Sequence, residues 1–174
     1  MRLTEGFHVR QRVSFALARA VGIASEAEWM EFELADWVNP DTVYRELAPQ
    51  LPADVTLREL HVVAPGDRAN VRRVAYAIRP AHMPEDIERR IAELLARRQV
   101  VVTRGEEGRE RRLDIRPLVV SLERRDGELV LLTACRNEGS VRPEEVLAAL
   151  GLDEAAIARS LVTRVEAQLA DAPL

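Results

Sequence analysis

Prolines set beside acidic residues interrupt the apolar alternation of this chain at three places. Those interruptions constrain its fold more than any other feature. They are Asn39-Pro40-Asp41, Pro84-Glu85-Asp86 and Arg142-Pro143-Glu144-Glu145. Proline fits only the first turn of a helix, and an acid there favours the positive end of the helix dipole. Each site therefore predicts a helix start, the first reinforced by Asn39 as N-cap. Between them the period changes to two, which is the repeat of a half-buried strand. Residues 10–19 place Val13, Phe15 and Leu17 on one side. Residues 28–34 place Met30, Phe32 and Leu34 against an outer face with Glu31 and Glu33. Further strands are predicted at 55–63, 71–79, 99–103, 109–116, 118–123, 128–135 and 161–169. The last is expected to carry Leu161, Thr163, Val165, Ala167 and Leu169 on one face. Gly105 to Gly108 and Asp126-Gly127 read as hairpin tips, the second a two-residue turn signal. The helix after Pro84 has Ile87, Ile91, Leu94 and Leu95 as its stripe, and Asp153 caps a further turn or helix.

From residue 71 the order is strand, helix, strands, helix, strand, that of a ferredoxin-like unit with an elaborated central hairpin. Residues 10–63 read strand, strand, helix, strand, the same unit without its first strand and helix. The expected fold is therefore α+β: tandem ferredoxin-like units with antiparallel sheets, the first unit incomplete. The turn Ala64-Pro65-Gly66-Asp67 divides them, giving units at 1–65 and 66–174 that could pack as one domain. An incomplete unit exposes a sheet edge and a helix-docking face. Another chain covers them, a second copy pairs through the open edge, or the protein starts upstream.

Composition narrows the chemistry. The 174 residues are 47% hydrophobic and 31% charged, enough for a core under a solvated surface, with net charge −4. All 25 basic residues are arginine. Codon supply is the bland source of that bias, yet every cation is a planar fork suited to phosphate or carboxylate. Without lysine there is no Schiff-base route. Cys135 is the lone cysteine, so the chain holds no internal disulfide and, by itself, no iron–sulfur cluster. No stretch has the length of a membrane helix and no signal peptide is evident, so a cytoplasmic protein is expected.

No catalytic residue stands out. His8, His61 and His82 lie in separate segments without ligand spacing, and no metal site or bound cofactor is expected. Glu31 and Glu33 read as a solvated strand face. The positive feature is arginine. Arg104, Arg109, Arg111, Arg112 and Arg116 fall on one hairpin, and Arg10 and Arg12 stand beside Phe7 and His8. Arg109 and Arg111 are expected on the Leu113 face, Arg112 and Arg116 on the Asp114 face. Such groups can track a phosphate backbone while an aromatic stacks on a base. The plain alternative is a solvated hairpin balanced by Glu106, Glu107 and Glu110. Asp114 and Arg116 are expected to form a structural ion pair, with each other or with Arg142.

Three segments carry a family resemblance. They are Glu5-Gly6-Phe7-His8-Val9-Arg10 running on to Ser14-Phe15 and Val21-Gly22-Ile23, then Asp114-Ile115-Arg116-Pro117-Leu118, then Gly139-Ser140-Val141-Arg142-Pro143-Glu144-Glu145. Together they resemble the radical-SAM-linked bacterial domain of unknown function. The matching motif positions include Gly6, Ser14, Asp114, Pro117, Arg142 and Pro143. Two departures stand out: Val9 replaces an expected proline, and nothing before Leu3 matches the family's opening strand and helix. The resemblance implies a radical-SAM protein as partner and a context of tRNA or rRNA maturation. The resulting expectation is a non-catalytic accessory module that recognises RNA, with a protein-docking module as the alternative and a stand-alone enzyme last.

Overall fold

The computed structural model describes residues 13–64, 66–106, 108–137 and 139–170. Phe7, His8, Arg10, Arg12, Gly6 and Glu107 lie outside the described residues. The fold is mixed α+β, with antiparallel and mixed sheets and short helices. None of the described helices is long and apolar enough to cross a membrane. The chain divides into two compact units, one of residues 13–16 and 30–69, the other of residues 17–29 and 70–170.

The second unit holds a five-stranded sheet, ordered β2-β9-β4-β8-β7. Its strands are β2 (Ile23–Ser25), β4 (Val71–Arg79), β7 (Val119–Arg125), β8 (Glu128–Ala134) and β9 (Leu161–Leu169). Three helices join it: α2 (Ile87–Ala96), α3 (Pro143–Ala149) and α4 (Glu154–Ala158). The connectivity β4-α2-β7-β8-α3/α4-β9 follows the helix starts and alternation of the sequence. One sheet face is the core: Val74, Ile78, Leu129 and Leu131 are buried there with Ile87, Leu94, Val146 and Leu147 of the helices. Asp126 and Gly127 both take positive φ (50° and 82°), as the two-residue turn between β7 and β8 demands. A separate two-stranded ribbon joins β5 (Val101–Arg104) to β6 (Arg111–Asp114).

The other unit has β1 (Val13–Phe15) antiparallel to β3 (Met30–Phe32), and α1 (Pro40–Leu47). Asn39 caps α1, its side chain accepting from the Asp41 N–H at 2.9 Å. No described side chain of this unit is buried, including Val43, Tyr44 and Leu47.

Several expectations need correction. Residues 55–63 form no strand. Residues 23–25, outside every expected strand, form strand β2, parallel to β9. Residues 17–29 accordingly belong with the second unit, not with the residues before 65. The second helix starts at Ile87, because Pro84-Glu85-Asp86 forms a turn in which the Ile87 N–H reaches the Pro84 carbonyl at 3.2 Å. On β9 the buried residues are Arg164 and Ala167, not the Leu161, Thr163 and Val165 face. A register shift between Ala75 and Tyr76 of β4 breaks the alternation and turns Arg164 inward opposite Tyr76.

Candidate functional site

The β5–β6 ribbon presents the arginines, which differ in exposure. Arg104 and Arg116 are committed to internal bonds. Arg109, Arg111 and Arg112 are exposed.

Arg104 grips Glu145 as a fork, Nε to Oε1 at 2.6 Å and Nη2 to Oε2 at 2.7 Å, and reaches the Ser140 carbonyl at 2.6 Å. Glu145 also accepts from the Arg142 N–H at 3.0 Å, so one carboxylate joins the ribbon to the first turn of α3. The hydrogen bonds to Glu145 hold the Arg104 guanidinium above its usual value against the cost of burial. Pro143 is buried at the first helical position of α3. Arg104 stands directly opposite Arg111 in the ribbon, a like-charge pair that would repel without Glu145. At the tip, Gly105 takes φ +107° and sits so close to Arg109 that a Cβ would meet its carbonyl oxygen at 2.5 Å.

Arg116 donates to the Leu95 carbonyl from Nε (3.2 Å) and Nη2 (2.7 Å), and to the Val119 carbonyl from Nη1 (3.0 Å). It locks the base of β6 to the end of α2. Asp114 accepts from the Val100 N–H at 2.8 Å and the Arg116 N–H at 3.1 Å. The expected ion pair of Asp114 with the Arg116 or Arg142 side chain is thus replaced by bonds to main-chain N–H groups. Pro117 lies in the 3₁₀ turn Arg116–Leu118. The exposed arginines do not share one face: Arg111 is on the side of Arg104 and Leu113, Arg112 on the side of Thr103 and Asp114, and Arg109 is at the tip.

Ser14 of β1 donates to Glu31 at 3.2 Å. His61 is 3.2 Å from Glu59, and His82 is exposed. Among the described residues, no group of three or more His, Cys, Asp or Glu side chains could hold a metal ion. A shallow cavity of about 380 Å³ is lined by Glu144, Glu145, Glu154 and three apolar residues of α3 and α4.

The sequence gives little warning of a second cluster. The Arg164 side chain is 3% exposed and pairs with Glu28 at 3.1 Å. It also donates to the Leu17 carbonyl at 3.0 Å and the Ala18 carbonyl at 3.4 Å, while its Nε is buried without a partner. Burial raises the Tyr76 hydroxyl above its ordinary value, and the Arg164 charge opposes that. Burial likewise raises the Cys135 thiol against the same charge. With the Trp29 indole N–H on the Ala167 carbonyl at 2.8 Å and the Glu26 N–H on the Arg164 carbonyl at 2.8 Å, the guanidinium fastens residues 17–29 to β9. An arginine in an alternating strand reads as solvent-facing; only the register shift turns it inward.

The family model described as an uncharacterized protein conserved in bacteria (DUF2344) matches residues 1–143. The chain belongs to that family. No curated protein and no solved structure matches it. The DUF2344 match takes in the β1–β3 and β5–β6 ribbons and ends at Pro143, the first residue of α3. Glu28, Tyr76 and Cys135 fall inside it and Arg164 beyond it.

Proposed function

We propose that this chain is a non-catalytic accessory module that works beside a radical-SAM protein and recognises RNA through the β5–β6 ribbon. The observation that carries the reading is the exposure of three ribbon arginines. Arg116 braces the base of the ribbon, and Arg104 ties its tip end to Glu145. Arg109, Arg111 and Arg112 are exposed at its tip and on both of its sides. A braced ribbon with cations on both sides suits a phosphate backbone better than a flat surface. The three motif segments support the radical-SAM partnership. The β-α-β-β-α-β order of residues 71–169 supports a ferredoxin-like reading of that unit.

The test is binding of tRNA and rRNA fragments as a function of salt. The Arg109/Arg111/Arg112→Ala variant should bind more weakly and lower the log–log salt slope by about 2, at roughly 0.7 per lost phosphate contact. No RNA retention at low salt, or an unchanged slope in the variant, refutes the reading. A second reading is protein docking without nucleic acid. It is favoured by the exposed Phe15 (57%), Trp37 (80%) and Val62 (69%) of the unit without buried side chains.

A further inference from the structure

The β1–β3 ribbon is turned inside out relative to an ordinary surface hairpin. Directly opposed residues of an antiparallel pair point to one side. Val13 faces Phe32 and Phe15 faces Met30, so these four form an apolar face; Ser14 faces Glu31 on the other. The polar face is the one tied down. Glu31 accepts from the Ser14 hydroxyl and the Ala69 N–H, and pairs with Arg68 at 3.5 Å. The apolar face is the one left open, with Val13, Phe15 and Met30 all exposed.

We infer that this face receives a basic amphipathic segment of a protein partner. Charge selects that occupant. The unit that holds this face, residues 1–16 and 30–69, carries nine acids against six arginines, a net charge of −3 with its histidines neutral. Such a field repels a phosphate backbone, and it repels a second copy of the same surface. It attracts a segment whose apolar side covers Phe15 and Met30 and whose flanks are Arg or Lys. The inference rests on protein docking by this unit alone and is independent of RNA binding at the other ribbon.

The methionines supply the assay. Met30 lies on the face and Met83 belongs to the other unit, so ¹³C-methyl spectra of the full chain carry a reporter and a control. The probe is a synthetic Leu/Arg amphipathic helix. It should shift the Met30 methyl saturably, leave Met83 in place and weaken with added salt. Phe15→Ser, at an exposed position, should weaken it roughly tenfold, the size of one well-packed aromatic contact. The Arg109/Arg111/Arg112→Ala variant should bind the peptide normally, which separates failure here from failure of the RNA reading. An unmoved Met30 methyl overturns the inference. So does equal binding of a Leu/Glu peptide, a Met30 shift on adding single-stranded RNA, or a Met30 shift that follows protein concentration alone.

Discussion

Replacing Glu28 with glutamine should destabilise the second unit more than an exposed carboxylate would suggest. Arg164 stays buried and charged in that variant, and among the described residues Glu28 is the carboxylate that neutralises it. Removing one partner of a fully buried pair costs about 3–5 kcal/mol. Two features lower that figure. The Glu28 side chain is 29% exposed, so water already shares its charge. Glutamine also keeps one acceptor, and the Leu17 and Ala18 carbonyls remain. The expected loss is then about 2–3 kcal/mol, a fall of roughly 5–10 °C in Tm for a chain of this size. Urea unfolding followed by circular dichroism measures it, with an unchanged m-value marking a true stability change. Arg164→Met alone should also destabilise, since two carbonyls lose their donor. The double variant should lose less than the sum of the two, by about 1–2 kcal/mol. A Glu28→Gln loss below about 0.5 kcal/mol, or strict additivity, would refute the clamp.

Two further outcomes follow from titrating groups. Burial raises the Cys135 thiol, so iodoacetamide at pH 8 should alkylate it more slowly in the folded chain than in urea; equal rates would contradict its placement. By the same linkage, stability should decline as pH climbs past the ordinary thiol value of 9.0, because the unfolded thiol ionises first. Desolvation would raise the Asp86 carboxyl, but hydrogen bonds from Arg89 and Arg90 outweigh it and hold the group below its ordinary value of 3.8. Its contribution is therefore present above that value and lost as pH falls through the lower folded one. Asp86→Asn should flatten this acid limb at low salt, and an unaltered acid titration would count against the pairing.

Much of the second unit could be read from short stretches of sequence. Pro143 with its following acids, Asp126-Gly127, the Ile87/Ile91/Leu94 stripe and Asp153 each act on neighbours within a turn or two. The Asp153 carboxylate, for instance, accepts from the Ala156 N–H at 2.7 Å. Such local chemistry determines where helices start and hairpins turn, whatever the rest of the chain does. The presence of arginines along the β5–β6 ribbon was equally plain. Their roles were not, since Arg104 and Arg112 look alike until Glu145, 41 residues on from Arg104, takes one of them. Residues 55–63 show the opposite failure. Their alternation is a strand pattern, but a strand needs a neighbour to satisfy its main-chain groups, and none among the described residues pairs with it. Arg164 marks the furthest limit. Its inward turn depends on a one-residue register shift between β4 and β9, where Val165 is the extra residue, and its partner Leu17 lies 147 residues away. The sequence by itself determined most elements of the second unit and several of their local ends. Tertiary structure decided which face each element buried, because register and pairing are set by residues far apart in the chain.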